Sequence, residues 1–158
     1  MWDSISMGTV MSVELEPEPI SEQWILSGSP IARSKVVARS GDWTSKVVVW
    51  DCTAGRFRWQ YSQDETIIVI SGAAYLLGDN GKERRFGPGD YGFFPEGTIA
   101  TWRVDDHIRK IAVLHEPLWR PIGFALKVWN KFLRKAGLAS SSPLGASQPV
   151  EHQSRLGK

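Results

Sequence analysis

RFRWQYSQDETIIVISG, residues 56–72, decides the fold of this chain. Its first half alternates: Phe57, Trp59 and Tyr61 share one face of a strand, and Arg56, Arg58 and Gln60 share the other. Charged side chains belong in water, so the three aromatic rings face a core. Glu65 follows, with Ile67 and Val69 continuing its parity up to Ser71-Gly72, a turn signal. Two strands with a short break between them are written here, and one carboxylate sits on the apolar face.

The same grammar extends outward. From Gln23 to Leu114 the β-type runs are SKVVVWDC, RFRWQY, ETIIVI, AAYLLG, KERRF, YGFF, TIATWRV and IRKIAVL. Between them stand Thr53-Ala54-Gly55, Ser71-Gly72, Gly78-Asp79-Asn80-Gly81, Gly87-Pro88-Gly89-Asp90 and Pro95-Glu96-Gly97, with Asp105 and Asp106 as a last turn. Turns at intervals of about 8–12 residues are the signature of a sandwich or barrel. Asp79-Asn80-Gly81 is a hairpin signal, because Asn and Gly tolerate positive φ. No helical period interrupts the block, so the core is all-β, with Trp50 and Cys52 sharing an inward parity.

The ends differ. Residues 1–22 form a loose, acidic, proline-bearing N-terminal arm ahead of a barrel over 23–115. After Pro117 the apolar positions Ile122, Ala125, Leu126, Trp129, Phe132 and Leu133 recur at helical spacing, with Pro121 at the entry and Gly137 at the exit. Residues 116–137 thus carry an amphipathic helix, from about 121 to 136, with Lys127, Lys131, Arg134 and Lys135 on its polar face. That helix is open to three readings: packing on the barrel or across a dimer, lying on an anionic membrane surface, or filling a partner's groove. Residues 138–158 are polar, rich in Ser, Gly and Pro, and read as a disordered tail.

Composition narrows the classes. A chain of 158 residues suits one domain with excess at its ends. Eight Trp favour an aromatic core or an aromatic-lined pocket. The net charge of +2 is uneven: residues 116–158 carry seven Lys or Arg against two Asp or Glu, while the rest is net acidic. The body offers no basic stripe, which argues against nucleic-acid binding. Cys52 is the one cysteine, so no intramolecular disulfide forms and a reducing compartment is expected. Residues 1–20 show neither a basic start nor an apolar run of signal-peptide type, and no stretch is long and apolar enough to span a bilayer. The expected location is cytoplasmic.

The spacing resembles that of the cupins, double-stranded β-helix (jelly-roll) barrels with two bipartite motifs. Glu65 and Gly72 keep the closing interval of the first motif, and counting back from Glu65 places Trp59 and Tyr61 where its two histidines would stand. Gly89, Pro95 and Gly97 fit the second motif, and Ala100 takes its histidine position. Over about residues 24–114 the chain is similar to the single-domain cupins grouped with (S)-ureidoglycine aminohydrolase, to which ethanolamine-utilisation cupins are related. The features carrying this likeness are Trp59-x-Tyr61 before Asp64-Glu65, Trp102 after Pro-x-Gly, and Arg109-Lys110 opening the last strand. The resemblance implies a barrel, sheet-edge homodimers and, in the enzyme, a metal held by three His and one Glu. Of those ligands this sequence retains Glu65, and neither Trp nor the Ala100 methyl replaces an imidazole. No metal and no cofactor is therefore expected.

Glu65 keeps three readings open: a general acid or base, a ligand contact, or a structural partner of Lys110 or Tyr61. Arg109 is read as an interstrand ion pair and Cys52 as a small buried hydrophobe. The expectation is a small-molecule-binding cupin whose pocket is built from Trp50, Trp59, Tyr61, Glu65, Trp102 and Lys110, taking a small polar or amine-bearing ligand. The alternative is an aminohydrolase-type enzyme acting on a small nitrogenous metabolite, with Glu65 as its catalytic carboxylate.

Overall fold

In the computed structural model of the chain, residues 5–77, 81–116, 128–129 and 131–132 are described. The strands are β1 (Glu16–Pro17), β2 (Ile25–Gly28), β3 (Ala32–Arg39), β4 (Ser45–Gln60), β5 (Asp64–Gly72), β6 (Ala74–Leu77), β7 (Glu83–Phe86), β8 (Tyr91–Phe94) and β9 (Ile99–His115). One 3-10 turn, Glu22–Trp24, precedes β2. The strands all lie in the first of two units, Met1–Pro117. In the second, Leu118–Lys158, the expected amphipathic helix lies outside the described residues except at four helical positions, and the tail lies wholly outside them.

Every pairing is antiparallel, and the expected all-β jelly roll follows from two long strands, β4 and β9, which pair along their whole length. At one end they are flanked by β3 and β5, giving the path β1-β3-β4-β9-β5-β8. At the other end β2 pairs with β4, and β6 and β7 extend from β9. The two long strands therefore belong to both halves, and the core lies between them. Its largest buried side chains include Trp102, Tyr61, Phe57, Ile67 and Ile108. Burying one such apolar side chain contributes roughly 2 kcal/mol.

Two expected turns are absent. Thr53-Ala54-Gly55 lies within β4, and Asp105-Asp106 lies within β9. The ladder between these strands shifts register between Thr53 and Gly55, so a bulge bends both strands where a break was expected. Gly55 serves close approach rather than reversal, because a Cβ there would meet the Pro30 ring at 2.7 Å. The other glycine signals mark true reversals: Gly89 and Gly97 take positive φ between strands. The β6–β7 hairpin pairs as far as Leu77 with Glu83, but residues 78–80 of its expected turn lie outside the described residues.

The N-terminal arm is tied down along residues 10–18. β1 pairs with β3, and the Glu18 N–H donates to the Ala32 carbonyl at 2.9 Å. Arg109 donates from Nε to the Val10 carbonyl at 3.0 Å and from Nη2 to the Val13 carbonyl at 2.9 Å. Its third contact, Nη1 to Asp51 Oδ2 at 3.1 Å, is the interstrand ion pair read from the sequence. Arg33 grips the same carboxylate through Nε and Nη2, each at 3.1 Å. Acidity and proline content alone did not reveal these anchors. Among the described residues no helix is long and apolar enough to cross a membrane.

Candidate functional site

Antiparallel register decides which side chains meet inside the barrel. Lys110 of β9 lies directly across from Trp50 of β4 on one side and from Val69 of β5 on the other. Glu65 enters four residues back along β5 on the same face as Val69, opposite Leu114 and Phe94. Both charged residues are buried, at 4% and 6% exposure. Lys110 donates from Nζ to Glu65 Oε1 at 3.0 Å. The same ammonium lies 4.7 Å from the Trp50 ring centre and 5.0 Å from that of Trp102. Taking a lysine and a glutamate out of water is costly unless they meet each other, and here the aromatic faces add a second compensation.

A cavity of about 130 Å³ opens beside this pair. Four of the six expected pocket residues line it: Trp50, Trp59, Glu65 and Lys110. Tyr61 and Trp102 do not. Tyr61 stacks on Phe94 with centroids 4.6 Å apart, and Trp102 lies parallel to Phe57 at 6.5 Å. Trp59 stands edge-on to both Trp24 and Trp50. Burial first, and the Glu65 charge second, push the Tyr61 phenol far above its usual range, while the Trp102 indole opposes the shift. Trp50 Nε1 is buried without a hydrogen-bond partner among the described residues, while the Tyr61 hydroxyl and the Trp102 indole act on one another.

The sequence reading missed three polar lining residues, Glu18, Ser34 and Lys46. Ser34 pairs across from Trp50, and Lys46 shares its parity with Val48 and Trp50, so alternation along SKVVVW carried a signal for Lys46. Lys46 is held at the cavity by Glu116, 3.7 Å away. Glu18 and Ser34 are brought in by the pairing of the arm and β3, which local pattern does not encode. Cys52 is buried and donates to the Thr53 carbonyl at 3.3 Å. Burial chiefly, with the Asp51 charge, pushes its thiol up to about 12, so it is an inert core residue. A row Ser71–His107–Asp106, with both contacts at 3.3 Å, lies on the rim, but Asp106 is 97% exposed and the imidazole is held in water.

Residues 39–112 match the family described as the EutQ-like cupin domain. The match covers just under half of the chain, and this stretch has the cupin fold. No curated protein matches the chain. Among solved structures, a protein of unknown function from Pseudomonas syringae pv. tomato is similar at 24% identity with a TM-score of 0.59, over 65% of this chain and 45% of that one. This chain thus spans less than half the length of that relative. The polyketide cyclase RemF from Streptomyces resistomycificus superposes with a TM-score of 0.53 at 17% identity, over 70% of this chain and 79% of that one. The EutQ protein of Clostridium difficile matches with a TM-score of 0.49 at 22% identity, over 65% and 83% of the two chains. At these identities the first two likenesses show the fold alone.

The barrel places its buried charges differently from a metal cradle. Among the described residues no three His, Cys, Asp or Glu side chains gather around a point. Glu65 turns its carboxylate to an ammonium, and the rings around it are indoles and a neutral phenol. Chemically the cavity wall carries both signs: Lys46, Lys110 and the unpartnered Trp50 N–H stand beside the Glu18 and Glu65 carboxylates.

Proposed function

We propose that this cupin domain binds a small polar molecule without a metal, in the cavity walled by the Glu65–Lys110 pair. The observation that carries the reading is the placement of a buried, mutually compensated ion pair on the wall of a 130 Å³ cavity lined by Trp50 and Trp59. A transition metal does not fit this donor set. The motif carboxylate, Glu65, already serves an ammonium, no cluster of three ligands gathers around it or Glu18 among the described residues, Trp59 and Ala100 offer no lone pair, and Tyr61 holds its proton. The amine-bearing ligand expected from the sequence is disfavoured too. The cradle of carboxylate and indole faces that would attract an amine is filled by the protein's own Lys110. The ligand that suits this wall brings an acceptor, a carbonyl or carboxylate oxygen, to the Lys46 and Lys110 side chains that line it.

The aminohydrolase reading implied by the resemblance would require a metal and a carboxylate free to serve it. Two measurements on untagged protein, purified without chelators, separate the readings. Titration of small carbonyl and carboxylate compounds should quench Trp50 and Trp59 fluorescence saturably, and Ser34→Leu, which fills the cavity, should abolish the response. Elemental mass spectrometry should find metal well below one atom per chain. Stoichiometric Mn, Fe, Ni or Zn, or a fluorescence response unchanged in Ser34→Leu, would overturn the proposal.

A further inference from the structure

We propose that Lys110 is an amine nucleophile that captures a small aldehyde or ketone as an imine, with Glu65 moving the protons. The inference deepens the binding reading and rests on it. Lysine becomes a covalent catalyst or anchor when it is taken out of water and set beside a group that can accept and return a proton. Lys110 meets each condition: 4% exposure, a 3.0 Å hydrogen bond to Glu65, and a place on the cavity wall. Lys35 and Lys46 differ. Their side chains are 43% and 25% exposed, and each is paired with a surface carboxylate, Glu16 and Glu116.

The chemistry balances without any further reactant. A proton passes from Nζ to Glu65 along the existing hydrogen bond, leaving a neutral amine and a carboxylic acid. The nitrogen lone pair forms a C–N bond to the carbonyl carbon as the C=O π bond opens, and Glu65 protonates the oxygen. Glu65 then takes a proton from nitrogen and returns it to the hydroxyl, which leaves as water. The products are an iminium on Lys110, a carboxylate on Glu65 and one water. Net charge in the site is the same before and after. The iminium inherits the place of the ammonium, beside the Glu65 carboxylate and between the Trp50 and Trp102 faces. That environment therefore stabilises the adduct as it stabilised the free side chain.

The cavity sets the class of carbonyl compound. About 130 Å³ holds a molecule of a few heavy atoms, and Lys46 on its lining faces any carboxylate the molecule carries. Pyruvate and propanal are thus suitable probes, one with and one without that carboxylate.

The test treats the full chain with each probe at neutral pH and sodium cyanoborohydride, then maps reduced adducts by peptide mass spectrometry. Lys110 should be labelled faster than Lys35 or Lys46 by on the order of tenfold, and more with pyruvate than with propanal. Glu65→Gln should slow labelling at Lys110 and leave the surface Lys35 unchanged. Lys110→Arg, which keeps a cation for Glu65, should remove the dominant adduct while retaining the native circular dichroism. Equal labelling of all three lysines, or an unlabelled Lys110 in the folded wild-type chain, overturns the imine. If Lys110 stays unlabelled while pyruvate still quenches the tryptophans, covalent capture fails and reversible binding stands. If neither occurs, both readings fail for this class of ligand.

Discussion

Lys110 stands directly opposite Trp50 in the β4–β9 ladder, and its ammonium lies 4.7 Å from the centre of the Trp50 ring. With Glu65 at 3.0 Å, this makes the protein's own side chain the cation at the heart of the barrel. Removing one partner leaves the other charged in an apolar interior. Lys110→Met should cost about 3 kcal/mol of stability, and adding Glu65→Leu should recover most of that loss. Urea denaturation of the wild type, both single variants and the double variant measures the coupling. Additive losses would show that the pair carries no interaction of its own.

Gly72 closes the first motif with φ of 67°, and a Cβ there would lie 2.1 Å from the His107 carbonyl oxygen. Gly97 has φ of 84° with open space around it. Gly97→Ala should therefore cost about 1 kcal/mol, from backbone strain alone. Gly72→Ala should cost at least twice as much, because β9 must move as well. The two denaturation midpoints, compared directly, check the order.

Cys52 holds a thiol pushed up to about 12 from an ordinary value of 9.0. The folded chain keeps that thiol neutral while the unfolded chain ionises it. Stability tied to Cys52 is thus fully present below pH 9 and declines as pH rises toward 12. Cys52→Ala should flatten this alkaline decline. At pH 8 iodoacetamide should label the wild type only after denaturant is added, which mass spectrometry follows in time.

Arg109 holds the Val10 and Val13 carbonyls, and Asp51 keeps Arg33 when Arg109 is lost. Arg109→Gln should loosen the arm by about 2 kcal/mol while leaving the barrel intact. Hydrogen exchange over residues 8–15 should accelerate, with exchange in β5 unchanged. Equal acceleration in both would mean that the arm is part of the core.

The homodimer expected from the resemblance has its proposed surface on β8, at the end of the strand path, where Tyr91 is 79% and Phe93 58% exposed. Sedimentation should give twice the chain mass for the wild type and one chain mass for Tyr91→Lys/Phe93→Lys. A wild-type mass of one chain ends that reading.

Much of the fold was legible because alternation survives without context. Phe57 and Tyr61 are buried and Arg58 and Gln60 are not, as their parity implies, and the inward place of Trp50 and Cys52 was read the same way. Bulges were illegible as such: Gly and Asp punctuate a bent strand and a turn alike, so β4 and β9 were each read as two pieces. At the site, the carboxylate and three further lining residues, Trp50, Trp59 and Lys110, were visible in strand parity and motif spacing. The Glu65–Lys110 contact was one option among several, since it depends on which strands β9 joins. Glu18 and Ser34 were out of reach, because the pairing that brings them to the cavity is not a local property.

Arg109 and Lys110 are neighbours on β9, one turned outward to the arm and Asp51, the other inward to Glu65. A slip of β9 by one residue would exchange them. It would drive a guanidinium among indoles, take the lysine from Glu65, leave Asp51 with Arg33 alone, and release the arm at the same stroke. The two adjacent cations thus proofread the assembly of the barrel: misaligned pairings are penalised at both faces at once, before any ligand is met.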